Sequence, residues 1–249
     1  MRAYRWTFVG MTALVAGCAA PLPPGHQAHP KDPWEAYNRT VFAFNDIADE
    51  TVLKPAAMVY EKAAPTPVRT AVSNFFGNLS DAWSAVNWVL QGEPRLAIEQ
   101  GARFIFNSTL GLAGLADVAG EVGIDKRSAN FAQTLGSWGV GRGPYLVLPL
   151  MGPSTVRDTV ALPIDRMARS SVWFDHPSDR FMASGLELVS QRASLLRAGE
   201  LVEGIALDKY TFFRDAYLQR ANYKKRQKAE EDDFEVVAPT KPASAASAP

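Results

Sequence analysis

Apolar residues recur at spacings of three and four along most of the chain, which is the period of an amphipathic helix. The longest such run lies before Gly92 and Pro94, two residues that end helices. Its apolar positions are Val68, Val72, Phe75, Leu79, Trp83, Val86 and Leu90. Because proline suits the first turn of a helix, Pro94 also begins a second one. That second predicted helix carries Leu96, Ile98, Phe104 and Ile105.

Two more helices are predicted towards the C-terminal end. One runs from Asp179 to Leu196. The other carries, on one face, Ala206, Tyr210, Phe213, Tyr217 and Ala221. The one strand-like stretch of any length is 145–150, where Pro149 removes a donor from the β-ladder. The predicted fold class is therefore mainly α, with a short strand-like hairpin.

The segment from Asp32 to Asp49 contains an aromatic stripe at helical spacing. Its members are Trp34, Tyr37, Val41 and Phe44, and Phe42 and Ile47 widen it. Trp and Tyr are favoured where an apolar interior meets water, so the stripe fits a helix at a membrane interface, with Trp34 and Tyr37 as interfacial residues. A stripe that simply faces a protein core has the same pattern, and both interpretations stay open.

The N-terminal end is typical of a secretory signal, because Arg2 and Arg5 precede an apolar run that finishes in small residues. The run is shorter than the roughly 20 residues that cross a bilayer, so residues 1–17 are expected to be removed. Residues 15–18 read Val-Ala-Gly-Cys and resemble the lipobox of bacterial lipoproteins. Cys18 would then be the lipidated first residue of an anchored protein, the alternative being a secreted protein with a chance cysteine.

The mature chain has almost no net charge. The sequence contains 26 basic and 26 acidic residues, and two of the basic ones lie in the signal. The resulting charge, near −2, gives no electrostatic footprint for binding nucleic acid. Proline-rich residues 18–31 predict a lipidated flexible tether, and residues 32–222 predict the folded domain. The charged and Ala/Ser/Pro-rich stretch 223–249 predicts a disordered tail.

The folded part lacks the side chains of a familiar active site. Of the three histidines in the chain, only His176 lies within residues 32–222, at a predicted loop where a solvated histidine is the simpler interpretation. No Cys/His cluster or spaced acidic pair indicates a metal ion, and no cofactor is expected. The sequence therefore indicates a protein that is not an enzyme, and a lipid-modifying hydrolase that uses His176 is the weaker alternative.

Several blocks of residues resemble, in the same order, the VacJ/MlaA family of outer-membrane phospholipid-transport lipoproteins. They are DPWEAYNR at 32–39, FAFN at 42–45, SNFFGNL at 73–79, RFIFNSTLG at 103–111, QTLG at 133–136, GVGRGPY at 139–145 and RDAY at 214–217. The blocks extend over most of residues 32–222, and so many collinear matches are hard to explain by chance. The chain is identified as a member of this family by resemblance.

The resemblance implies a single helical, ring-like domain embedded in the inner leaflet of the outer membrane around a polar channel. Family members take phospholipids mislocalised in the outer leaflet, pass them to a soluble periplasmic carrier, and associate with a trimeric porin. The chain would then be lipid-anchored on the periplasmic face of the outer membrane and would maintain its lipid asymmetry. A polar lining suits this task, because a headgroup otherwise meets the hydrocarbon core.

The resemblance also assigns residues to the transport path. The N-terminal motif places five residues on the channel-forming helix, namely Asn38, Arg39, Phe42, Phe44 and Asn45. A guanidinium suits phosphate oxygens, so Arg39 would meet a lipid phosphate, and a structural pair with a carboxylate is the alternative.

The glycine-rich run from Leu110 to Gly123 corresponds to a hairpin that gates the channel in the family. Its gating residues would be Leu110, Gly111, Gly114, Gly120 and Gly123. Glycine permits hinge angles, although an ordinary loop has the same composition. At the level of function, a non-transporting, porin-associated structural lipoprotein stays open as the alternative, because apolar aromatic faces also suit a protein partner.

Overall fold

The computed structural model describes residues 29–168 and 174–220. The predicted signal peptide, Cys18 and almost all of the tether lie outside the described residues, as does the predicted tail from residue 223. The chain divides into two compact units, one ending at Ile205 and one beginning at Ala206. The predicted domain of residues 32–222 therefore contains parts of both units, and a ring-like arrangement stays a prediction.

The first helices follow one another without a break. Helix α1 spans Glu35–Ala48, a π-helical turn spans Asp49–Leu53, and α2 spans Lys54–Ala63. The prediction of a first helix is confirmed, whereas the sequence pattern did not predict α2. Two bonds of 2.8 Å from the guanidinium of Arg192 to the carboxylate of Asp49 hold the π-helical turn.

The two helices predicted from the longest apolar runs are present. Helix α3 spans Thr66–Leu90 and α4 spans Pro94–Thr109, and the two pack against each other. Gly92 forms the tight turn between them with a φ of 77°, which residues with a side chain rarely adopt. Both helix predictions are confirmed.

Three short helices and a β-hairpin follow α4. The helices are α5 Val118–Glu121, α6 Phe131–Ser137 and α7 Val156–Arg166. Strands β1 (Tyr145–Leu148) and β2 (Gly152–Thr155) pair antiparallel, with Tyr145 opposite Thr155. The described structure is thus mainly helical with a two-stranded antiparallel hairpin, as the sequence predicts.

Helix α8 spans Pro177–Ser194 and α9 spans Leu196–Ile205. The prediction of one helix that continues through Leu196 is therefore wrong at its end. The N–H of Leu195 bonds to the carbonyl of Arg192, only three residues back, so the last turn tightens and the helix stops. His176 directly precedes α8 and is exposed, which confirms its predicted position in a loop.

The second unit contains a helix from residue 209 through residue 220. The carboxylate of Asp208 accepts the N–H of Tyr210 at 3.0 Å and the hydroxyl of Thr211 at 2.6 Å. The prediction of a helix here is confirmed, but its predicted start at Ala206 is too early, because this aspartate caps the first turn. Ala221 lies outside the described residues.

Helices α3 and α4 bury polar side chains and expose apolar ones, the reverse of the usual arrangement in water. Their buried polar residues are Asn78, Asp81, Ser84, Asn87, Gln100, Arg103 and Asn107. Their exposed large apolar residues include Val68, Val86, Val89, Leu90, Ile98, Ile105 and Phe106. Within the apolar stripe that predicts α3, Val68, Val86 and Leu90 are exposed, whereas Leu79 is buried. A large part of the stripe therefore lies at the surface and not in a protein core.

Candidate functional site

A cavity of about 580 Å³ lies among α2, α3, α4 and α8. Its charged wall residues are Arg69, Asp81, Arg103, Asp117, Lys126 and Glu187. Tyr60, Asn78 and several Ser and Thr hydroxyls add uncharged donors and acceptors. A space with such a wall can admit a polar group that the apolar outer faces of the same helices exclude.

The guanidinium of Arg103 is buried, and each of its three nitrogens has an acceptor. Its Nε meets Asp81 Oδ2 at 3.2 Å, and its Nη2 meets Asp117 Oδ1 at 2.7 Å. Its Nη1 donates to the carbonyl of Ile124. Because its partners lie on α3 and in the chain after α4, Arg103 fastens these parts of the cavity wall to α4.

Asp117 precedes the short helix α5 and completes this network. Its Oδ1 accepts the N–H of Gly120 at 3.1 Å and the amide of Asn107 at 2.9 Å, in addition to the contact with Arg103. Burial alone would raise the pKa of Asp117, but the hydrogen bonds from Asn107, Arg103 and Gly120 outweigh it and lower that pKa from its usual 3.8. The carboxylate is therefore charged at neutral pH.

Lys126 places a second cation beside Asp81. Its Nζ lies 2.8 Å from Asp81 Oδ1 and donates to the carbonyl of Gly77 at 2.7 Å. Asp81 is buried, so its single negative charge is shared between Arg103 and Lys126. The side chain of Lys126 is 39% exposed and lines the cavity, which leaves its ammonium group accessible there.

Arg69 and Tyr60 form another part of the wall. Arg69 Nη1 lies 3.2 Å from Glu61 Oε1, and Nη2 donates to Thr66 Oγ1 at 3.2 Å. The Nε of Arg69 and the hydroxyl of Tyr60 are buried without a hydrogen-bond partner among the described residues. Since buried donors normally have acceptors, this part of the wall has unused hydrogen-bonding capacity.

One polar face of α3 fastens the chain that follows α4. The amide of Asn74 donates to the carbonyl of Leu115 at 3.1 Å, and Asn87 Oδ1 accepts the hydroxyl of Thr134 at 2.8 Å. Spacings of three and four place on this face Asn74, Asn78, Asp81, Ser84 and Asn87. The cavity wall is thus built by polar contacts between α3 and a long connecting segment.

Two of the predicted channel residues, Asn38 and Asn45, bond to the β-hairpin. Asn38 is fully buried, and its amide donates to the carbonyl of Tyr145 at 3.2 Å. Two turns later, the amide of Asn45 donates to the carbonyl of Leu148 at 2.9 Å. Each asparagine also accepts the backbone N–H two residues further along the hairpin, at 2.8 and 2.7 Å. Both side chains therefore join α1 to the hairpin.

The other three predicted channel residues also lie on α1. Arg39 pairs with Glu35 at 2.8 Å, one turn earlier, as the structural-pair alternative expects. Phe42 is half-buried and Phe44 is exposed. Among the described residues, the wall of the 580 Å³ cavity includes none of the five predicted on α1.

The aromatic stripe of α1 lies largely at the surface. Trp34 and Phe44 are exposed, so the core-facing interpretation is wrong for both. Trp34 and the half-buried Tyr37 border an apolar groove of about 350 Å³, together with side chains of β1 and α7. The interfacial role of these two residues stays a prediction.

The predicted gating segment consists of turns and helix α5, with no strand. Leu110, Gly111 and Gly114 lie in the turns, Gly120 lies in α5, and Gly123 lies in the turn after α5. Three successive residues have positive φ values of 53°, 59° and 89°, namely Leu112, Ala113 and Gly114. A Cβ on Gly114 would lie 2.5 Å from Asn78 Nδ2, so the turn packs closely against α3.

Asp81, Arg103 and Lys126 are site residues that the apolar periodicity does not predict. For Asp81 the signal is a polar stripe at helical spacing on α3, opposite the apolar one. Arg103 lies on α4 and Lys126 in the segment after α5, so neither belongs to that stripe. On a helix in water such a stripe is the solvated face. The polar stripe of α3 indicates a cavity only if the opposite, apolar face of the helix is assigned to lipid.

The sequence profile of the MlaA lipoprotein family matches residues 30–224. The chain belongs to this family. Relatives named "intermembrane phospholipid transport system lipoprotein MlaA" are 35% identical in Shigella flexneri and 33% identical in Haemophilus influenzae. The first alignment covers 85% of this chain and 84% of the relative, and the second covers 86% and 89%. These matches confirm the family resemblance found in the sequence.

A solved structure from work on the structural basis for maintenance of bacterial outer membrane lipid asymmetry has a similar fold. It is 35% identical with a TM-score of 0.66, and the match covers 77% of this chain and 98% of that chain. An uncharacterized protein of Rickettsia bellii is 34% identical over 76% of this chain and 74% of its own length. Membership in the MlaA family confirms the predictions of a lipoprotein and of a protein that is not an enzyme.

Proposed function

We propose that this protein transports phospholipids between membranes and so maintains the lipid asymmetry of the outer membrane. It removes phospholipids mislocalised in the outer leaflet through the polar cavity, and it passes them to a soluble periplasmic carrier. The observation that carries this proposal is a polar cavity among helices whose outer faces are apolar. The names of the Shigella flexneri and Escherichia coli relatives support it.

The cavity suits the headgroup because the obstacle to lipid movement is the transfer of a charged headgroup into hydrocarbon. Side chains of both signs line the wall, so a headgroup finds hydrogen bonds and counter-charges in place of water. The acyl chains stay in the bilayer, against the exposed apolar faces of α3 and α4. Transport by this route breaks no covalent bond.

Embedding in the inner leaflet is supported by the surface of the helices. Exposed apolar residues on α3 and α4 would contact water if the protein were not in lipid. Within residues 29–168 and 174–220, no helix has both the length and the hydropathy that crossing a bilayer requires. Helices lying in one leaflet fit both observations. Lipid on Cys18 would then hold the chain on the periplasmic face of the outer membrane.

The assignment of α1 to the transport path stays part of the proposal. Helix α1 continues through the π-helical turn into α2, which contributes Tyr60 to the cavity wall. In this arrangement Arg39, Phe42 and Phe44 face the approach to the cavity. Asn38 and Asn45 position α1 through their bonds to the β-hairpin.

Gating is proposed for residues 110–123, beside the trimeric porin. The turn exposes Leu110 and Leu112, while Asp117 at its far end is bound to Arg103 of the cavity wall. Movement of the turn would therefore act on the cavity through a contact that already exists. The exposed leucines supply an apolar surface for the porin.

The proposal is tested by deleting the gene and labelling surface phospholipid on intact cells with a membrane-impermeant amine reagent. We expect more labelled phospholipid and greater detergent sensitivity in the deletion strain, with both restored by the wild-type gene. In vitro, the wild-type protein should pass labelled phospholipid from vesicles to the purified periplasmic carrier. Unchanged labelling and no transfer to the carrier would support the porin-associated structural lipoprotein instead.

A further inference from the structure

The ammonium group of Lys126 has hydrogen-bonding capacity that the described residues do not use. An ammonium has three N–H donors, and among the described residues Lys126 contacts Asp81 Oδ1 and the carbonyl of Gly77. The third donor is left on a side chain that is part-exposed and lines the cavity. A compact cation in this position suits a phosphate oxygen, which would take the place of a water molecule.

Arg69 has similar unused capacity elsewhere on the wall. A guanidinium has five N–H donors, and the described contacts of Arg69 use one on Nη1 and one on Nη2. Its Nε is buried and has no acceptor among the described residues. The second N–H of Nη1 and of Nη2 stays on a part-exposed side chain that lines the cavity, where it can meet an anionic or acceptor-rich ligand.

Arg103 differs from these two residues, although it is also a cation of the wall. All three of its nitrogens already have acceptors, in Asp81, Ile124 and Asp117. It is buried, whereas Lys126 and Arg69 are part-exposed. Arg103 therefore holds the wall together, and Lys126 and Arg69 are the cations with donors to offer a ligand.

The two cations lie at different levels along α3. Arg69 is on α3, and the carbonyl that fixes Lys126 belongs to Gly77, eight residues later on the same helix. At 1.5 Å per residue the two backbone positions are about 12 Å apart along the helix axis. The guanidinium of Arg69 points away from Gly77, because its Nη2 bonds to Thr66 Oγ1 one turn earlier. One phosphate group is too small to bridge such a distance, so the two positions would be occupied one after the other.

We propose that Lys126 and Arg69 are two successive contacts for the phosphate group of a phospholipid that passes through the cavity. The inference rests on the proposed function, because it names the ligand chemistry of the same cavity. Each cation already pairs with a carboxylate, Lys126 with Asp81 and Arg69 with Glu61. Each should therefore bind a phosphate less tightly than an unpaired cation would. Moderate binding at two positions allows a headgroup both to enter and to leave.

The test uses the full-length lipidated protein in detergent, with fluorescent phosphatidylethanolamine and diacylglycerol of the same acyl chains as probes. We expect the wild type to bind phosphatidylethanolamine more tightly than diacylglycerol, which lacks the phosphate. Lys126→Gln and Arg69→Gln should each weaken phosphatidylethanolamine binding about tenfold, the size of one lost hydrogen bond to a charged group, and leave diacylglycerol binding unchanged. Lys126→Arg and Arg69→Lys should restore most of the affinity.

Arg95→Gln is the matched control, because Arg95 is a cation on α4 that is 79% exposed and lies outside the cavity wall. It should bind both probes as the wild type does. Thermal unfolding of every variant separates lost binding from lost folding, and the charge-retaining variants supply binding data if a glutamine variant unfolds.

Three outcomes would overturn the inference. One is equal affinity of the wild type, Lys126→Gln and Arg69→Gln for phosphatidylethanolamine. Another is equal affinity of the wild type for the two lipid probes. The third is calorimetric binding of inorganic phosphate that depends on Lys126 and Arg69 while lipid binding does not, which would assign the cations to a free anion. In the first two cases wild-type transfer to the carrier still stands, whereas the absence of any such transfer rejects the proposed function itself.

Discussion

Two asparagine side chains of α1 bond to the backbone of the β-hairpin, where a third strand would otherwise pair. Asn38 and Asn45 are seven residues apart, which is two helical turns, so both lie on one face of α1. Each offers a donor and an acceptor to a carbonyl and an N–H of the hairpin. Asn38 is also bonded to Asp32 at 2.7 Å, so its amide has partners on every side. The hairpin is thus joined to α1 by side chains and not by a wider sheet.

Replacing Asn38 by alanine should lower the free energy of unfolding by about 2–4 kcal/mol. The change leaves the carbonyl of Tyr145 and the N–H of Val147 buried without these partners, and each such group costs about 1–3 kcal/mol. Denaturant unfolding in detergent micelles measures the loss. The control is Thr51→Ala, which removes an exposed hydroxyl bonded to its own helix and should change stability by less than about 0.5 kcal/mol. Equal losses for the two variants would contradict this account.

Asp117 should make the stability of the protein depend on pH in a predictable direction. Its pKa in the folded protein is lowered from 3.8, so its charged form stabilises the fold at and above the ordinary value. This contribution is lost as the pH falls through the lowered pKa. Asp117→Asn keeps the size of the side chain and a capping oxygen but loses the ion pair with Arg103.

We therefore expect wild type and Asp117→Asn to differ most at neutral pH and to converge as the pH falls below about 4. The difference at pH 7 should be about 1 kcal/mol or less, because the carboxylate is part-exposed. Thermal unfolding at several pH values measures both quantities. A difference that grows towards acid pH would show that the charged form of Asp117 does not stabilise the fold.

At the scale of elements, α3 and α4 were predictable because a long apolar period is bounded by Gly92 and Pro94. Helix α2 was not, although Pro55 lies in its first turn, since it follows α1 through a π-helical turn with no break in the helical backbone. Helix α7 contains Pro163, a residue that normally argues against a helix interior. Boundaries set by tertiary contacts, such as Arg192 on Asp49, leave no local signal in the sequence.

The cavity could not be predicted for a different reason. Asp81, Arg103 and Lys126 are far apart along the chain and meet only because α3 packs on α4 and the segment after α5 returns to both. The resemblance of the N-terminal motif assigned the transport path to residues of α1. It holds no information on contacts that arise between separate elements.

The turn before α5 should depend on Gly114 more than on Gly123. Both have positive φ, 89° and 86°, so alanine at either position costs about 1–3 kcal/mol of backbone strain. Only at Gly114 would the added Cβ also meet the side chain of Asn78, at 2.5 Å. Overpacking of this kind adds about 1–3 kcal/mol, so Gly114→Ala should be the more destabilising variant by that amount.

Denaturant unfolding of both variants in detergent gives the comparison. Gly123 is the matched control because nothing lies within 4 Å of a Cβ built there. If Gly123→Ala destabilised the protein as much as Gly114→Ala, close packing of the turn on α3 would not be the cause. The same pair of variants also tests gating, since only Gly114→Ala should disturb transfer of phospholipid to the carrier.

At the scale of the molecule, α3 and α4 bury polar side chains and expose apolar ones. Polar residues such as Asn87 and Gln100 are fully buried, while Ile98 and Ile105 on the same helix pair are exposed. In water this arrangement would leave apolar surface hydrated and would confine polar groups that prefer solvent. In a leaflet, as we propose, the apolar faces would meet acyl chains and the polar interior would form a path for headgroups. Helical periodicity does not identify the solvent, because an apolar stripe has the same spacing whether it faces a protein core or lipid.

Ile98 tests this assignment of solvent directly, because its side chain is 71% exposed on α4. Inserting an isoleucine into hydrocarbon contributes about 1.5–3 kcal/mol, and a carboxylate at that depth is unfavourable. Ile98→Glu should therefore weaken binding to neutral phosphatidylcholine vesicles at least about tenfold in a flotation assay. Ile98→Val, which keeps the site apolar, should bind as the wild type does. Unchanged flotation of a folded Ile98→Glu variant would mean that this face of α4 contacts something other than lipid, and the porin would then be its candidate partner.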